Sequence, residues 1–280
     1  MKWRLTRRSR LIDALREKVP STHSARSLKR ALESNGCRVN GRIERFASVQ
    51  LEKGDWIELI SLSPKVSEKI SYPIVYEDED LLILNKPAGA ICTDKAFQQA
   101  LGRSVYLAHR LDKETTGVLL FGKNPTLAKE LQGLFEERRM EKEYLALVDG
   151  IPCTRSGLIR SHFIKKGHFE GQTIWGSNPA GRGLYAETQW EICSFIGKEA
   201  TLVRCFPRTG RTHQIRVHLA EMGHPILIDR QYASQFRSSL FAARPLLHAS
   251  RLQFVWKEKP LSFAVDPPAD FRCSISDAIV

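Results

Sequence analysis

The sequence predicts an α+β protein in which a small N-terminal domain precedes a larger one. Its 280 residues exceed a single small module and are enough for one large domain beside a small one. Apolar residues recur at helical spacing in some segments and form strand-length runs in others, and no internal repeat is present. We expect a small domain over residues 1–62, a polar linker over 63–72 and a larger α+β domain over 73–280.

The first 62 residues combine two helices with a hairpin and a final strand. Apolar residues recur at helical spacing over 11–19, and Ser24 predicts the N-cap of a second helix that ends at Asn35-Gly36. Asn40-Gly41 lies between two strand-like segments and is the strongest short-range hairpin signal, and residues 56–60 form a further strand-like run. These elements predict a compact α/β-hairpin domain.

This N-terminal segment is strongly basic. Residues 1–45 hold 13 basic and four acidic side chains, a net charge of +9 out of +12 for the whole chain. Such a local excess, most of it arginine, is typical of a protein that binds a polyanion such as nucleic acid. Arg26, Lys29 and Arg30 form a stripe on the outer face of the second helix, which we interpret as an RNA-binding face. Taken alone, the stripe would favour a solvated helix face.

The larger domain begins with short strands and continues with amphipathic helices. The run Gly117–Asn124 nearly spells a phosphate-binding loop, but its residues are bulky and apolar and Asn124 replaces the required hydroxyl residue, so we interpret it as a buried strand that leads into a helix. The pattern predicts strands over 74–76, 81–84, 117–121, 144–148 and 201–206, and helices over 125–137 and 213–222.

Several classes of protein are excluded by what the sequence lacks. The six cysteines form no C-x-x-C pair and have no histidine at ligand spacing, so we expect free thiols in a reducing compartment and no metal site. Apolar runs are only strand-length, which excludes a membrane-spanning helix, and the N-terminus has no apolar core of a signal peptide. We therefore expect a cytoplasmic protein that does not bind membranes.

One group of motifs identifies the larger domain. The stretch 76–89 ends in N-K-P-A-G, and it is followed in order by H-R-L-D at 109–112, K-E-Y at 142–144, T-G-R-T-H-Q-I-R at 209–216 and G-H-P-I at 223–226. Over residues 73–270 this series closely resembles the RNA pseudouridine synthases of the ribosomal large subunit synthase A type. The resemblance implies a mixed, mainly antiparallel sheet and isomerisation of specific uridines in structured RNA. It implies no cofactor, since the reaction transfers no electrons or external groups.

The N-terminal segment carries a second, shorter resemblance. Its helix pair, an R-V-N-G turn and a closing strand after K-G-D resemble, over residues 8–62, the small RNA-binding domain of the ribosomal protein S-four type. This implies contact between the basic helix face and folded RNA, with ribosomal RNA favoured over transfer RNA as the partner. We expect the protein to act as a monomer.

The family motif implies a role for each polar residue of the larger domain. Asp112, in a hydroxyl-rich turn that could otherwise be an ordinary Asx-turn, corresponds to the catalytic aspartate, which acts on a uridine turned out of the RNA. An ionised carboxylate can serve as nucleophile or base, but burial penalises its charge, so a fixed cation is needed and the motif indicates Arg216. Tyr144 would stack on the base and Arg110 would enter the gap left by it. We expect His109, Arg211 and His213 to contact RNA.

Some questions stay open at this stage. The sequence does not choose the target uridine, nor does it choose between attack of Asp112 on the base, attack on the ribose and abstraction of a sugar proton. Ile228 replaces the glycine usual before the aspartate at 229, which puts the local turn in doubt. The alternatives are a non-catalytic RNA-binding or ribosome-assembly protein of the same fold and an RNA hydrolase, although the latter would need grouped metal ligands.

Overall fold

A computed structural model describes residues 1–20, 23–33, 36–60, 71–169, 172–233, 235–238, 240, 242 and 244–271. The chain forms two compact units, Met1–Ile70 and Ser71–Val280. Most of the predicted linker, residues 63–72, lies outside the described residues. Among the helices of the described residues, none is both long and apolar enough to cross a membrane.

The N-terminal unit contains two helices and two small antiparallel sheets. The four-stranded sheet has the order β1-β6-β3-β4, and β2 pairs with β5. The elements are β1 Lys2–Arg4, β2 Ser9–Arg10, α1 Leu11–Lys18, α2 Ala25–Glu33, β3 Cys37–Val39, β4 Arg42–Ile43, β5 Gln50–Leu51 and β6 Trp56–Leu59.

The predicted helices, the Asn40-Gly41 hairpin and the strand after Gly54 are present, whereas β1, β2 and β5 were not predicted and the predicted helix end at Asn35 lies outside the described residues. The Ser24 hydroxyl accepts a hydrogen bond from the backbone N–H of Ser27, as an N-cap does. Asn40 and Gly41 both have positive φ, 51° and 83°, which is the geometry of a tight hairpin turn. Apolar residues of α1 and α2 pack with the inner side of the sheet into one core, which includes Leu15, Leu32 and Ile57.

The larger unit is built on one extended sheet with three helices in its described part. Its elements are β7 Ile74–Glu77, β8 Leu81–Lys86, α3 Asp94–Leu101, β9 Tyr106–Leu107, β10 Thr116–Gly122, α4 Pro125–Glu136, β11 Glu141–Asp149, β12 Ser156–Phe169, β13 Gln172–Ser177, β14 Leu184–Ile196, β15 Ala200–Pro207, α5 Gln214–Glu221, β16 Leu247–Trp256 and β17 Lys259–Ala264.

The strand pairing is mainly antiparallel, as predicted. Among the described residues the strands follow the order β13-β12-β14-β15-β11-β16-β10-β8-β7, with β17 beside β16 and β9 beside β10. Of the described pairs in this sheet, β10 with β16 is the parallel one, and it joins Thr116 to His248 and Gly117 to Ala249. The parallel pair brings the start of β10 to the middle of the sheet, directly after the turn that carries Asp112.

Strand β10 is buried along its whole length, which confirms that Gly117–Asn124 is a strand and not a phosphate-binding loop. The Asn124 side chain accepts from the backbone N–H of Leu127 and caps α4, with Pro125 in its first turn. Gly122 lets this helix approach closely, because a Cβ there would lie 2.4 Å from the backbone nitrogen of Ala128.

The predicted strands and helices of the larger unit are all present, but the pattern analysis missed a large part of it. The long hairpin strands β12, β13 and β14 and the C-terminal pair β16 and β17 were not predicted. Strand β12 alternates between exposed and half-buried residues over much of its length, so few of its side chains are apolar enough to give a period-two signal.

Candidate active site

Asp112 lies in the turn between β9 and β10, and buried cations hold the backbone around it. The ammonium of Lys86, a fully buried residue, donates to the carbonyl oxygens of Pro87 and Lys113, both at 2.9 Å. The guanidinium of Arg244, 2% exposed, donates to the carbonyl of Glu114 at 3.1 Å. Burial lowers the pKa of Lys86 to about 8. The two cations fix the backbone after Asp112 and leave its side chain free, 29% exposed.

The start of β10 requires a glycine. Gly117 has φ 116°, and a Cβ on it would lie 2.1 Å from the carbonyl oxygen of Ala249 on β16. Thr116, beside it, is buried and its hydroxyl lies 2.8 Å from Nδ1 of His248. The hydroxyl that this chain retains at 116 therefore joins the two parallel strands next to the Asp112 turn.

Tyr144 reaches the same place from β11 through an irregularity in the sheet. The register between β11 and β16 shifts between Glu143 and Tyr144, and Ser250 on β16 is the extra residue. The Ser250 hydroxyl donates to the Glu143 side chain at 2.7 Å. Such bulges re-aim side chains and are common beside active sites. Burial and the charge of Asp112 raise the pKa of Tyr144, so its phenol keeps its proton at neutral pH.

Arg216 lies in the first turn of α5 and bridges two aspartates. Its Nη1 donates to Oδ2 of Asp112 at 3.2 Å, while Nε and Nη2 form a two-pronged pair with Asp229 at 2.7 and 2.8 Å. Nη2 also donates to Gln231 at 2.8 Å, and the guanidinium lies 5.1 Å from the ring centre of Tyr232. Burial lowers the pKa of Arg216, but Asp229 and Asp112 outweigh it, so the net shift is upward. The predicted cation beside Asp112 is therefore permanent.

His213 stands on the other side of Asp112, with its side chain only 9% exposed. Its Nε2 is 3.8 Å from Oδ1 of Asp112, and its Nδ1 is 2.7 Å from the hydroxyl of Tyr232. His213 itself has φ 56°, a left-handed conformation that is uncommon outside glycine. Burial lowers the pKa of His213 more than Asp112 raises it, so the ring is neutral at neutral pH. This position differs from the predicted contact with the RNA backbone: His213 faces the aspartate inside the pocket.

The hydrogen bonds of Tyr232 indicate how His213 is protonated. The backbone N–H of Trp175 points at the phenol oxygen, 3.4 Å away, so the phenol proton is available to Nδ1 of His213. In that tautomer Nε2 carries the ring proton and directs it toward the Asp112 carboxylate. The opposite tautomer would face the carboxylate with a lone pair, which electrostatics disfavours.

The side chains of Asp112, Tyr144, His213 and Arg216 line one open pocket. Asp112 is the single carboxylate among its lining residues, whereas Arg110, Lys142, Arg211 and Arg216 supply four cations. Lys142 donates to the carbonyl of Thr209 at 2.9 Å, and burial lowers the pKa of its ammonium to about 8. One carboxylate inside a ring of cations suits a polyanionic substrate on which a single acid group acts.

The segment that carries most of this pocket matches a known protein family. The family model for RNA pseudouridylate synthase matches residues 80–221, slightly more than half of the chain, and the matched span holds Asp112, Tyr144 and Arg216. The chain belongs to the RNA pseudouridylate synthase family. It is an RNA pseudouridine synthase, an isomerase.

Curated relatives and solved structures agree with this assignment. The synthase is 32% identical to the ribosomal large subunit pseudouridine synthase C of Vibrio cholerae over 86% of this chain and 84% of the relative. It is 32% identical to the dual-specificity RNA pseudouridine synthase RluA of Escherichia coli over 71% of this chain and 93% of the relative. Its fold is similar to that of human RNA pseudouridylate synthase domain containing 1, with 26% identity and a TM-score of 0.63 over 73% and 86% of the two chains.

The structure adds two findings at Asp229: its contact with Arg216 and the conformation of Ile228 before it. The planar fork of Arg216 holds Asp229, and Asp112 receives one hydrogen bond from the same guanidinium. Ile228, which replaces the usual glycine, has φ 65° and keeps the left-handed conformation. The backbone N–H of Asp229 donates to the carbonyl of Ile226 at 3.0 Å, so Ile228 occupies the turn position where glycine is favoured. The turn is preserved at a cost in strain.

His109 makes contacts within the fold, and its predicted contact with RNA stays a prediction. Its Nε2 accepts from the backbone N–H of Leu120 at 3.2 Å, and its ring lies 4.7 Å from that of Phe135. Burial and the charge of Lys142 lower the pKa of His109 to about 3, so the ring is neutral and offers no charge to a phosphate. Its position between β10 and α4 explains its place in the motif.

The other residues predicted to contact RNA lie in three places: at the pocket, on α2, and outside the described residues. Arg110 is exposed at the pocket, and Arg211 lines it with Nε donating to the carbonyl of Tyr185 at 2.9 Å. Lys29 is exposed on α2 of the N-terminal unit. The side chains of Arg26 and Arg30 lie outside the described residues, so the predicted stripe on this helix stays a prediction.

The sequence reasoning missed the residues that support the site from behind. Asp229, Gln231 and Tyr232 hold Arg216 and His213, but only the departure at Ile228 had drawn attention to this segment. Gln214 was also missed: it is buried, and its side-chain oxygen accepts from the hydroxyl of Thr209 and the backbone of Arg211. The signal that could have found Asp229 is the need of a buried arginine for a buried counter-charge.

Proposed function

We propose that this synthase converts specific uridines of large-subunit ribosomal RNA to pseudouridine, with Asp112 as the catalytic group. The observation that carries the proposal is the isolation of the Asp112 carboxylate among four cations in one pocket. The name of the Vibrio cholerae relative supports a large-subunit target. An rRNA target would place the enzyme in the cytoplasm, as expected from the sequence.

In this proposal Asp112 acts on a uridine that has left the RNA stack. The bond from N1 of the base to the ribose breaks and a bond from C5 to the ribose forms. C5 gives up its proton and N1 takes one up, so that the product is an isomer of the substrate. A carboxylate with one hydrogen bond from Arg216 keeps its remaining lone pairs for the substrate, either as a nucleophile or as a base. Arg216 donates a hydrogen bond to one oxygen of Asp112, and Nε2 of His213 lies 3.8 Å from the other.

The ring of Tyr144 would stack on the face of the flipped base. Its ring lies between two apolar clusters of the sheet, and its protonated phenol can donate a hydrogen bond or a proton but is a poor base at neutral pH. Arg110, Lys142 and Arg211 at the pocket would bind the phosphates on either side of the flipped nucleotide. Replacing stacking by such contacts offsets the few kcal/mol that flipping costs.

The N-terminal unit would add affinity for folded RNA. The alignment with the Vibrio cholerae relative covers 86% of the chain, and residues 71–280 make up only three quarters of it, so the similarity extends into this unit. The match with RluA covers 71% of the chain and 93% of that protein. This contrast supports an rRNA-binding domain of the S-four type over residues 1–62.

The test is a map of pseudouridine across all RNA of the source cell with and without this gene. We expect specific sites in large-subunit rRNA to revert to uridine when the gene is deleted, and to return when the wild-type gene is restored. Sites that change only in transfer RNA would show that the substrate assignment is wrong while the enzyme class is right. No change in any RNA would favour the non-catalytic alternative.

A further inference from the structure

The outward side of the four-stranded sheet in the N-terminal unit carries an unusual set of side chains. Strand alternation directs Trp3, Cys37, Ile57 and Leu59 into the core of the unit. The alternate residues point away from that core: Lys2 and Arg4 on β1, Arg38 on β3, and Trp56 and Glu58 on β6. These five residues form what we call the outer sheet face.

Trp56 is the centre of this face. It is 47% exposed, although its neighbour Ile57 is fully buried. Arg4 pairs directly with Trp56 across the β1–β6 ladder, and the Lys2 ammonium lies 5.5 Å from the centre of the indole ring. A large aromatic ring that is left in solvent beside cations is the arrangement on which single-stranded nucleic acids stack their bases.

The cations of the outer sheet face are mostly free to meet an anion. Arg38 lies 3.8 Å from Glu58, which leaves that pair weak. Within the described part of the chain, Lys2 and Arg4 have no carboxylate at ion-pair distance. The Arg4 Nε donates to the carbonyl of Gly54 at 2.9 Å, which holds its guanidinium at the end of the sheet nearest Trp56. The face has three cations, one carboxylate and an exposed ring.

We propose that the outer sheet face binds an unpaired nucleotide of the RNA substrate, with its base stacked on Trp56 and its phosphates near Lys2 and Arg4. Charge complementarity selects a polyanion, and the exposed ring selects one that presents free bases and not a continuous duplex. The proposal rests on RNA as the substrate of the proposed function. It adds a contact that the helix stripe of Arg26, Lys29 and Arg30 does not supply, because that stripe carries cations but no aromatic ring.

The test is the affinity of the full chain for RNA in Trp56 variants. The probes are a 20-nucleotide single-stranded RNA of mixed sequence and the blunt duplex of the same sequence, both at fixed salt. Trp56→Leu keeps apolar area but removes the stacking ring, and we expect it to weaken single-strand binding at least fivefold, equivalent to about 1 kcal/mol. Trp56→Phe keeps a ring and should bind within about twofold of wild type. Duplex binding should change less than single-strand binding in Trp56→Leu.

Two further measurements complete the test. Val255→Ala, at an exposed apolar position of the other unit, should bind as wild type does and controls for loss of exposed apolar surface. Single-strand RNA should also quench the wild-type tryptophan fluorescence more than that of Trp56→Phe. Equal single-strand affinity of wild type and Trp56→Leu would overturn the proposal and leave this face to a protein partner. If Trp56→Leu binds weakly but the wild-type chain modifies no large-subunit rRNA, this surface stands and the proposed function fails.

Discussion

Two aspartates share the guanidinium of Arg216, and their surroundings differ sharply. Asp229, 1% exposed, accepts two hydrogen bonds from one edge of the fork. Asp112, 29% exposed, accepts one longer hydrogen bond. A buried carboxylate in a two-pronged ion pair is committed to the fold, whereas a partly exposed one at a pocket keeps lone pairs for a substrate. Identical side chains on the same cation thus differ in burial, which fits a structural role for Asp229 and the proposed catalytic role for Asp112.

The backbones around the two aspartates are also fixed differently. Buried Lys86 and Arg244 hold the carbonyls next to Asp112, so its position is set through the main chain. Asp229 is held through its own side chain, at the end of a turn that tolerates a left-handed Ile228. Asp112 is thus positioned mainly through its backbone, with one hydrogen bond to its carboxylate.

Removal of the Asp112 charge should have the largest effect on activity and a small one on stability. We expect Asp112→Asn to lower pseudouridine formation at least a thousandfold, about 4 kcal/mol, because the nucleophile or base is lost. RNA affinity should stay within a few-fold, since phosphate contacts dominate it. The measurement is pseudouridine formed in a large-subunit rRNA transcript. Activity above a thousandth of wild type would mean that another carboxylate is catalytic.

Removal of the Asp229 charge should instead have a large effect on stability. Asp229→Asn leaves the buried Arg216 without its two-pronged partner, and we expect a loss of about 3 kcal/mol in the free energy of unfolding. The same change at Asp112 should cost less than about 1 kcal/mol of stability, because it removes one hydrogen bond at a solvent-facing group. Urea unfolding of the two variants makes the comparison. Equal stability losses would contradict the division between structural and catalytic aspartates.

Arg216→Lys tests the link between the two carboxylates. One ammonium cannot contact Asp229, Gln231 and Asp112 at once, so we expect the rate at saturating RNA to fall more than tenfold, about 1.4 kcal/mol. Arg211→Lys is the matched control and should raise KM with little change in kcat. If Arg216→Lys changes only KM, its main role is contact with a phosphate.

Lys142 should make RNA binding sensitive to alkaline pH. Burial lowers its pKa to about 8, so the ammonium loses its proton as pH rises through that value. RNA that binds the charged form should therefore bind about fivefold more weakly at pH 9 than at pH 7, about 1 kcal/mol for one lost charge-assisted contact. In Lys142→Arg this decline should disappear, because a guanidinium stays charged. A decline that persists in the arginine variant would assign the titration to another group, such as Lys86.

Of these substitutions, Ile228→Gly should have the smallest effect, and its measure is the free energy of unfolding. Glycine removes the left-handed strain, which costs roughly 1–2 kcal/mol. It also removes a half-buried side chain whose burial stabilises the fold by a similar amount, so we expect a change in the free energy of unfolding within about 1 kcal/mol. Leu227→Gly is the control: this residue of the same turn is 1% exposed and is not left-handed, so its loss should cost roughly 3 kcal/mol or more. Equal losses for the two variants would show that Ile228 is not strained.

Much of the fold was predictable because local signals agree with the tertiary structure. The Asn40-Gly41 hairpin, the Asn124 cap and the buried strand β10 each follow from a few neighbouring residues. The long strands β12 and β14 were not predicted, because their exposed and half-buried residues carry little hydrophobic periodicity. Their pairing depends on partners that are distant in sequence.

The candidate site likewise combines residues that local motifs predicted with contacts that depend on residues distant in sequence. The sequence by itself determined the family and the cation beside Asp112, and it predicted Asp112 as the catalytic group, because these residues belong to motifs of consecutive residues. Only the tertiary structure decided that the Arg216 fork holds Asp229, that His213 faces Asp112 from a left-handed N-cap, and that His109 belongs to the core. Contacts at the site join residues far apart in sequence, such as Arg216 and Asp112, which are 104 positions apart, and burial at those contacts sets which atoms are left for the substrate.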